Sequence, residues 1–366
     1  MHTILVLGGY GFFGKRICQS LARMANVYLL IAGRDATKAQ ATAQALGLNL
    51  NQGLAIDANN SDLASRLSTL KVDTVIHTAG PFQGQDYHVA RAAIAAGANY
   101  IDLADGREFV RGIEQLDALA KQRNVCVTSG ASSLPALSSA VIDRYLHRFK
   151  RLDSIRHGIG SGARAPGVAT MTGVFGYCGK PILQLEDGKW KTTYGWLDLL
   201  RYRFPSPVGA RLLGRCDVPD LTLFPSRYPD VKTVTFHAGF ASATGHLFVW
   251  VAAQLVRLKL ISNLTKLIAP LHTISHWMES FVSDKGGMFV CLEGIDVNGK
   301  QLKLAWHLIA AQNHGPYIPC GAAIALSKKL ASGDQLLHGA IPCMGLLTVA
   351  DYLAALNDYD VQELQP

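Results

Sequence analysis

Thr3-Ile4-Leu5-Val6-Leu7 runs directly into Gly8-Gly9-Tyr10-Gly11-Phe12-Phe13-Gly14, and a stretch of helical character opens at Lys15. An apolar, β-branched-rich segment of strand length therefore meets a glycine cluster that starts a helix. Gly9, Gly11 and Gly14 fit the pattern G-x-G-x-x-G, with Gly8 as an extra. Dinucleotide binding needs glycine at each place. Gly9 permits the tight turn, Gly11 lets a pyrophosphate approach the backbone, and Gly14 lets the helix pack on the strand. First-turn N–H groups and the positive end of the helix dipole then hold the phosphates. Tyr10, Phe12 and Phe13 lie inside the same turn and are read with it as cofactor contacts. Glycine turns are common; the strand before this one and the helix after it make it specific.

Outward from that turn, strand and helix patterns alternate, as a parallel sheet with crossover helices requires. Val27–Ala32 reads as the second strand and ends in Gly33-Arg34-Asp35. A carboxylate there would bind the ribose 2′-hydroxyl of NAD, whereas a guanidinium accommodates the 2′-phosphate of NADP. Arg34 comes first and Lys38 follows one helical turn later, which favours NADP. Asp35 is read as the N-cap of the next helix. The third strand ends at Asp57-Ala58, beside the expected adenine, although Asp57 equally suits the cap of a short turn. The fourth strand, Thr74–His77, leads into Thr78-Ala79-Gly80-Pro81-Phe82, whose small residues let a ligand come close at the crevice side of the sheet. A helix over His88–Ala96 is closed by Gly97. Asn99–Asp105 holds the fifth strand and its loop, Glu108–Arg123 reads as one helix, and Val125–Ser129 is a sixth strand.

The 366 residues suit two domains. A hydrophobic content of 49% and a charged content of 17% describe a globular chain with ample core, and the net charge of +8 suits an anionic ligand or an acidic membrane surface. No Lys/Arg block interleaved with aromatics points to nucleic acid. Seven scattered cysteines without a C-x-x-C pair read as reduced thiols. The first strand follows Met1 almost at once, so no signal peptide is expected, and no apolar run reaches membrane-spanning length. These readings place the chain in the cytoplasm. No His/Cys/Asp/Glu clustering suggests a metal.

Gly8–Gly14, Ala32-Gly33-Arg34, Thr78–Phe82 and Tyr100-Ile101-Asp102-Leu103-Ala104-Asp105-Gly106 together resemble the saccharopine dehydrogenase-like oxidoreductase family. So do Gly286-Gly287-Met288, Gly294–Gly299, Trp306, Gly315–Pro319 and Gly339–Leu347 further on. The resemblance covers most of the chain and is weakest between 181 and 235. It implies an NADP-type Rossmann domain, a second domain with a mixed sheet, and redox chemistry. It does not imply saccharopine as substrate, since no paired-arginine motif for a dicarboxylate amino acid is present.

The expected fold class is α/β: a doubly wound Rossmann-type parallel sheet with a second α+β domain containing a mixed or antiparallel sheet. The expected divisions are 1–132 for the nucleotide domain, 133–347 for the substrate and oligomerisation domain, and 348–366 for a C-terminal helix packing back on the first domain. Leu137–Phe149 reads as a helix. Gly158–Gly179 holds seven glycines and reads as irregular strand and turn, while Thr192–Pro229 reads as an irregular insertion. Val231–Ala238, Met288–Leu292 and Leu302–Ala311 look like strands, with Asn298-Gly299 as a hairpin turn. Segment 246–278 carries apolar residues at helical intervals with Arg257, Lys259 and Lys266. It suits either a pair of core or dimer-interface helices broken near Pro270 or a peripheral membrane contact.

Hydride transfer needs a positioned nicotinamide, a substrate carbon beside it and a nearby proton donor or acceptor. The titratable groups past the fourth and fifth strands are His77, Asp102 and Asp105, with Tyr317 expected to complete the site from the second domain. His77 also suits a satisfied buried histidine, and the two aspartates suit loop anchors. The sequence therefore predicts an NADPH-dependent oxidoreductase, homodimeric and acting on a small molecule. C=N reduction or secondary-amine oxidation follows from the family resemblance. Enoyl (C=C) reduction on a lipid-like substrate and a non-catalytic NADP sensor or membrane-associated scaffold are the alternatives.

Overall fold

The computed structural model describes residues 1–162, 168–262, 264, 282–334 and 336–366. The chain forms two compact units, one from Met1–Leu137 with Tyr317–Ala355, the other from Ser138–Pro316 with Leu356–Pro366. The 317–347 stretch, expected in the second domain, is therefore part of the first unit, and of the 348–366 segment expected to return to the first domain, Leu356–Pro366 belongs to the second. Sequence order hides this, because the chain returns to its first sheet through contacts remote along the backbone.

In the first unit, β1 (His2–Leu7), β2 (Val27–Gly33), β3 (Gly53–Ala55), β4 (Thr74–His77), β5 (Asn99–Asp102) and β6 (Cys126–Ser129) are joined by a seventh strand, β15 (Gly339–Pro342). The order is β15-β6-β5-β4-β1-β2-β3 and every pairing is parallel. Ile4, Leu5 and Val6 are wholly buried, as strands covered by helices on both faces must be. The sequence reading counted six strands. β15 pairs Gly339–Pro342 with Cys126–Ser129 at the sheet edge, where a strand ending in proline is tolerated.

The crossover helices are α1 (Gly14–Leu21), α2 (Ala36–Ala45), α3 (Leu63–Thr69) and α4 (His88–Ala96). α4 stops at Gly97, whose φ of 75° is the left-handed C-cap conformation. The helix expected over 108–123 is instead α5 (Arg107–Gly112), a 3₁₀ turn (Ile113–Leu116) and α6 (Asp117–Gln122). The Tyr87 hydroxyl donates to the Phe109 carbonyl at 2.7 Å, and the Ile113 N–H turns to Val110 instead. Helices at Gly321–Ala331 and Val349–Ala354 complete the unit. The second is opened by a Thr348/Asp351 capping box.

The second unit is built on long strands: β7 (Phe149–Gly160), β12 (Thr233–Gly239), β13 (Gly286–Asp296) and β14 (Gln301–Ala310). β7 runs parallel to β12 and antiparallel to β13, so the sheet is mixed. β13 and β14 are joined through Gly299 (φ 82°), with Asp296 accepting the Asn298 and Lys300 N–H groups at 2.8 Å. β16 (Val361–Leu364) closes one edge on β14.

The stretch expected to be an irregular insertion is ordered. β8 (Pro181–Glu186) and β9 (Lys189–Tyr194) form a hairpin, β10 (Leu200–Arg203) and β11 (Ala210–Arg215) extend the sheet, and a helix follows at Asp220–Arg227. Tyr202 stacks on Phe289 at 3.8 Å between ring centres, so the aromatic residues pack a sheet face. Helices also cover Ser138–Leu146, Val168–Gly176 and Ala243–Arg257. The helix expected to reach Phe149 ends at Leu146, and Phe149 begins β7. Of the 246–278 segment, the expected break near Pro270 lies outside the described residues, as do Arg164 and Pro166 of the glycine-rich stretch. Among the described residues no helix is long and apolar enough to cross a membrane.

Candidate functional site

The turn after β1 is built by close backbone approach. Gly8 and Gly9 donate to the Ala32 carbonyl at 2.8 and 3.1 Å, and Gly11 donates to the Gly8 carbonyl at 2.8 Å. Gly8 holds a φ of 79°, and a side chain there would meet the Thr78 hydroxyl oxygen at 2.7 Å. At Gly14 a Cβ would run into the Gly8 carbonyl oxygen, so only glycine lets α1 start this close to the strand. Gly11 is exposed. The N–H groups that helix geometry leaves without intrahelical acceptors lie at this start. Such a turn fits a pyrophosphate.

The loop after β4 adjoins it. Thr78 donates its hydroxyl to the Leu7 carbonyl at 2.8 Å, and the Gln85 amide bridges the Ala79 and Pro81 carbonyls at 3.1 and 2.7 Å. The Gly80–Pro81 peptide is cis. Phe82 turns inward, its ring 5.0 Å from that of His77 and 5.3 Å from that of Phe109. Thr78, Ala79 and Gly80 are half-buried and Pro81 exposed, so the backbone of this loop, rather than the Phe82 ring, is what a ligand could reach.

At the end of β2, Arg34 is exposed. Asp35 caps α2, accepting the Lys38 N–H at 3.1 Å, and the Lys38 ammonium stands 3.4 Å from the Asp35 carboxylate. Lys38 is thus shared with Asp35, while Arg34 stands exposed at the end of the strand. Tyr10 folds over Gly33 and its hydroxyl accepts the Asp35 N–H at 3.1 Å, tying the glycine turn to the end of β2. Phe12 and Phe13 pack edge to face at 5.0 Å. Asp57 accepts the Asn59 N–H at 3.0 Å, a turn role, and Ala58 packs on the core beside it.

His77 and Asp102 are register partners on β4 and β5, and Tyr100, two residues before Asp102, shares their face. His77 is 2% exposed, and its Nδ1 lies 3.1 Å from the Tyr100 hydroxyl. Burial lowers its pKa to about 4, which makes it a neutral ring. Asp102 is fully buried. Its Oδ1 accepts from the Ala104 N–H, the Ser129 hydroxyl and the Gly130 N–H, each at 2.9 Å, while Oδ2 has no partner. Burial raises its pKa to about 6 against the pull of those three donors and of the Tyr100 hydroxyl. Burial, and then the Asp102 carboxylate, hold the Tyr100 phenol well above its usual range.

Asp105, on the following loop, is half-buried and accepts the Gln83 amide at 3.1 Å; burial raises its carboxyl as well. Of the two aspartates, Asp105 is the one with surface to offer. Tyr317 belongs to the first unit, not the second. Its hydroxyl donates to Gln19 at 3.4 Å and its ring lies 5.1 Å from the Arg16 guanidinium, alongside α1. Sequence reading missed Tyr100, Ser129 and the largely buried Arg16, whose guanidinium donates to the Phe12 carbonyl and lies 4.1 Å over the Phe12 ring. The alternation Tyr100-Ile101-Asp102 was the available signal for the first.

A parallel sheet with a glycine turn at its first strand is the arrangement that binds a dinucleotide in doubly wound α/β folds. Residues 4–143 match the family model described as the saccharopine dehydrogenase NADP binding domain. A saccharopine dehydrogenase (L-Glu forming) from Saccharomyces cerevisiae is similar over 100% of both chains, with 14% identity and a TM-score of 0.66. An amine dehydrogenase from Mycobacterium smegmatis is similar over 96% of this chain and 95% of its own, with 14% identity and a TM-score of 0.52. These two likenesses show the fold. A provisionally named trans-acting enoyl reductase of Mycobacterium tuberculosis is 30% identical over 122 residues, which is 32% of this chain and 28% of that relative.

Proposed function

We propose that this chain is an NADPH-dependent oxidoreductase that reduces a C=N bond, or oxidises a secondary amine in reverse, on a small-molecule substrate. The observation that carries the reading is the glycine turn at the start of α1, pressed against Thr78 and joined through Tyr10 to the Arg34 end of β2. The bound dinucleotide supplies the hydride. Gly8–Gly14 would hold its pyrophosphate and Arg34 its 2′-phosphate. The backbone of Thr78–Pro81 would line the nicotinamide end. Asp105 holds a proton more firmly than an ordinary carboxyl and can give it to a substrate nitrogen. Asp102 and His77 are enclosed and act as positioning residues: Asp102 fixes the Ser129-Gly130 loop and Ala104. The names of the two similar structures support amine chemistry. Enoyl reduction on an apolar substrate is kept as the second reading because of the name of the relative aligned over 122 residues.

Calorimetry with NADPH and NADH tests the cofactor assignment. Arg34→Ala should weaken NADPH by about tenfold, about 1.4 kcal/mol, and leave NADH nearly unchanged. Absence of heat with either dinucleotide overturns the redox reading. Turnover of NADPH with cyclic imines but not enoyl thioesters supports the first reaction; the reverse selects the second. Tight NADPH binding without turnover of either class points to a sensor.

A further inference from the structure

We propose that the helix Ala243–Arg257 and the turn after it dock on an anionic lipid surface. At roughly 100° per residue, His246, Val249 and Ala253 share one face, and these are the buried residues of the helix. Leu247, Phe248, Val251 and Leu258 fall on the opposite side and are 43%, 56%, 49% and 65% exposed; Leu260, just beyond, is 69% exposed. A helix apolar on both faces is normally covered on both. Ser242 caps the helix by accepting the Gly245 N–H at 3.1 Å, so this face is presented from a formed helix.

Charge selects the occupant. From Ala243 to Ile261, the helix and the turn after it, the sequence holds no Asp or Glu, while Arg257 and Lys259 fall within it. Lys259 is exposed just past the C-terminal end of the apolar face, and Arg257 is exposed in the last turn of the helix, its guanidinium 4.3 Å over the Tyr194 ring. A second copy seated on this face would bring the same cations to the seam with no carboxylate in the segment to meet them. A bilayer with acidic headgroups receives both parts: apolar side chains enter the acyl boundary and the cations stay at headgroup level. The proposal does not depend on the reaction, because binding is read without cofactor or substrate.

The full chain is sedimented with vesicles of phosphatidylcholine, alone or mixed with phosphatidylglycerol, at low and high salt. Binding should require phosphatidylglycerol and fall as salt screens the headgroups. The variant Leu247→Ser/Phe248→Ser/Val251→Ser should lose about tenfold or more in vesicle affinity with an unchanged circular dichroism spectrum. Arg257→Gln/Lys259→Gln should lose less. If the triple variant does not fold, Phe248→Ser alone should still weaken binding. Three results overturn the proposal: wild-type protein that stays in solution with anionic vesicles at low salt, folded variants that bind as well as wild type, or a triple variant whose only change is loss of a dimer.

Discussion

Asp102 in the first unit and Asp220 in the second are both fully buried, and each keeps Oδ2 without a hydrogen-bond partner. Both also receive a serine hydroxyl on Oδ1: Ser129 at 2.9 Å for Asp102, Ser138 at 2.5 Å for Asp220. The remaining donors differ. Asp102 takes two backbone N–H groups, from Ala104 and Gly130, both in loops that leave the crevice edge of the sheet. Asp220 takes the His157 ring at 3.0 Å and so ties the start of one helix to β7. A carboxylate is tolerated in an interior only where donors converge on it. Amides fixed in the backbone hold a loop in shape, whereas side-chain donors join elements. The first arrangement sits beside the expected chemistry; the second holds a fold together.

The largest test removes the second carboxylate. Asp220→Ala removes the buried acceptor shared by the His157 ring and the Ser138 hydroxyl, which should destabilise by about 3–5 kcal/mol in urea unfolding. NADPH affinity measured well below the melting transition should be unchanged. A loss under about 1 kcal/mol would show that the two sites are not comparable in weight.

The next is pH. The Asp102 carboxyl titrates at about 6 when folded against 3.8 in its ordinary state. Between those values the unfolded chain has released the proton that the folded chain keeps, so stability falls as pH rises through the window and is level above it. That difference corresponds to about 3 kcal/mol. Asp102→Asn should flatten this slope by about that amount. An equal slope in both proteins would remove Asp102 as its source.

The smallest effect separates the two serines. Ser129→Ala and Ser138→Ala should each cost about 1 kcal/mol. Only Ser129→Ala should raise the Asp102 titration further, read by carboxyl carbon resonances, because its hydroxyl favours the charged form.

Where backbone pattern and burial agree, the sequence carries its own structure openly. β1, the glycine turn and α1 announce themselves because a strand buried on both faces is apolar throughout. Asp35 and Gly97 mark helix ends by local chemistry. β15 escaped because its pairing with β6 joins residues more than two hundred positions apart. β10, reading Leu200-Arg201-Tyr202-Arg203, escaped because an edge strand with one face in water carries cations. The break after Gly112 depended on Tyr87 reaching a carbonyl from another helix. In the candidate site the glycines and Arg34 were legible from spacing. The enclosure of Asp102 and His77 was not, since it arises from Tyr100, Ser129 and Phe82 converging on them. Nor was the place of Tyr317, which depends on which unit the returning chain joins.

The late arrival of β15 also bears on how this protein is made. When a ribosome has released residues 1–137, the first sheet has its other strands but a bare β6 rim. That rim waits for Gly339–Pro342, which at ordinary elongation speeds takes on the order of tens of seconds. Through that interval the nascent chain exposes an unpaired strand to its neighbours, so premature termination between Ser138 and Gly339 should yield sticky fragments rather than a usable nucleotide-binding half.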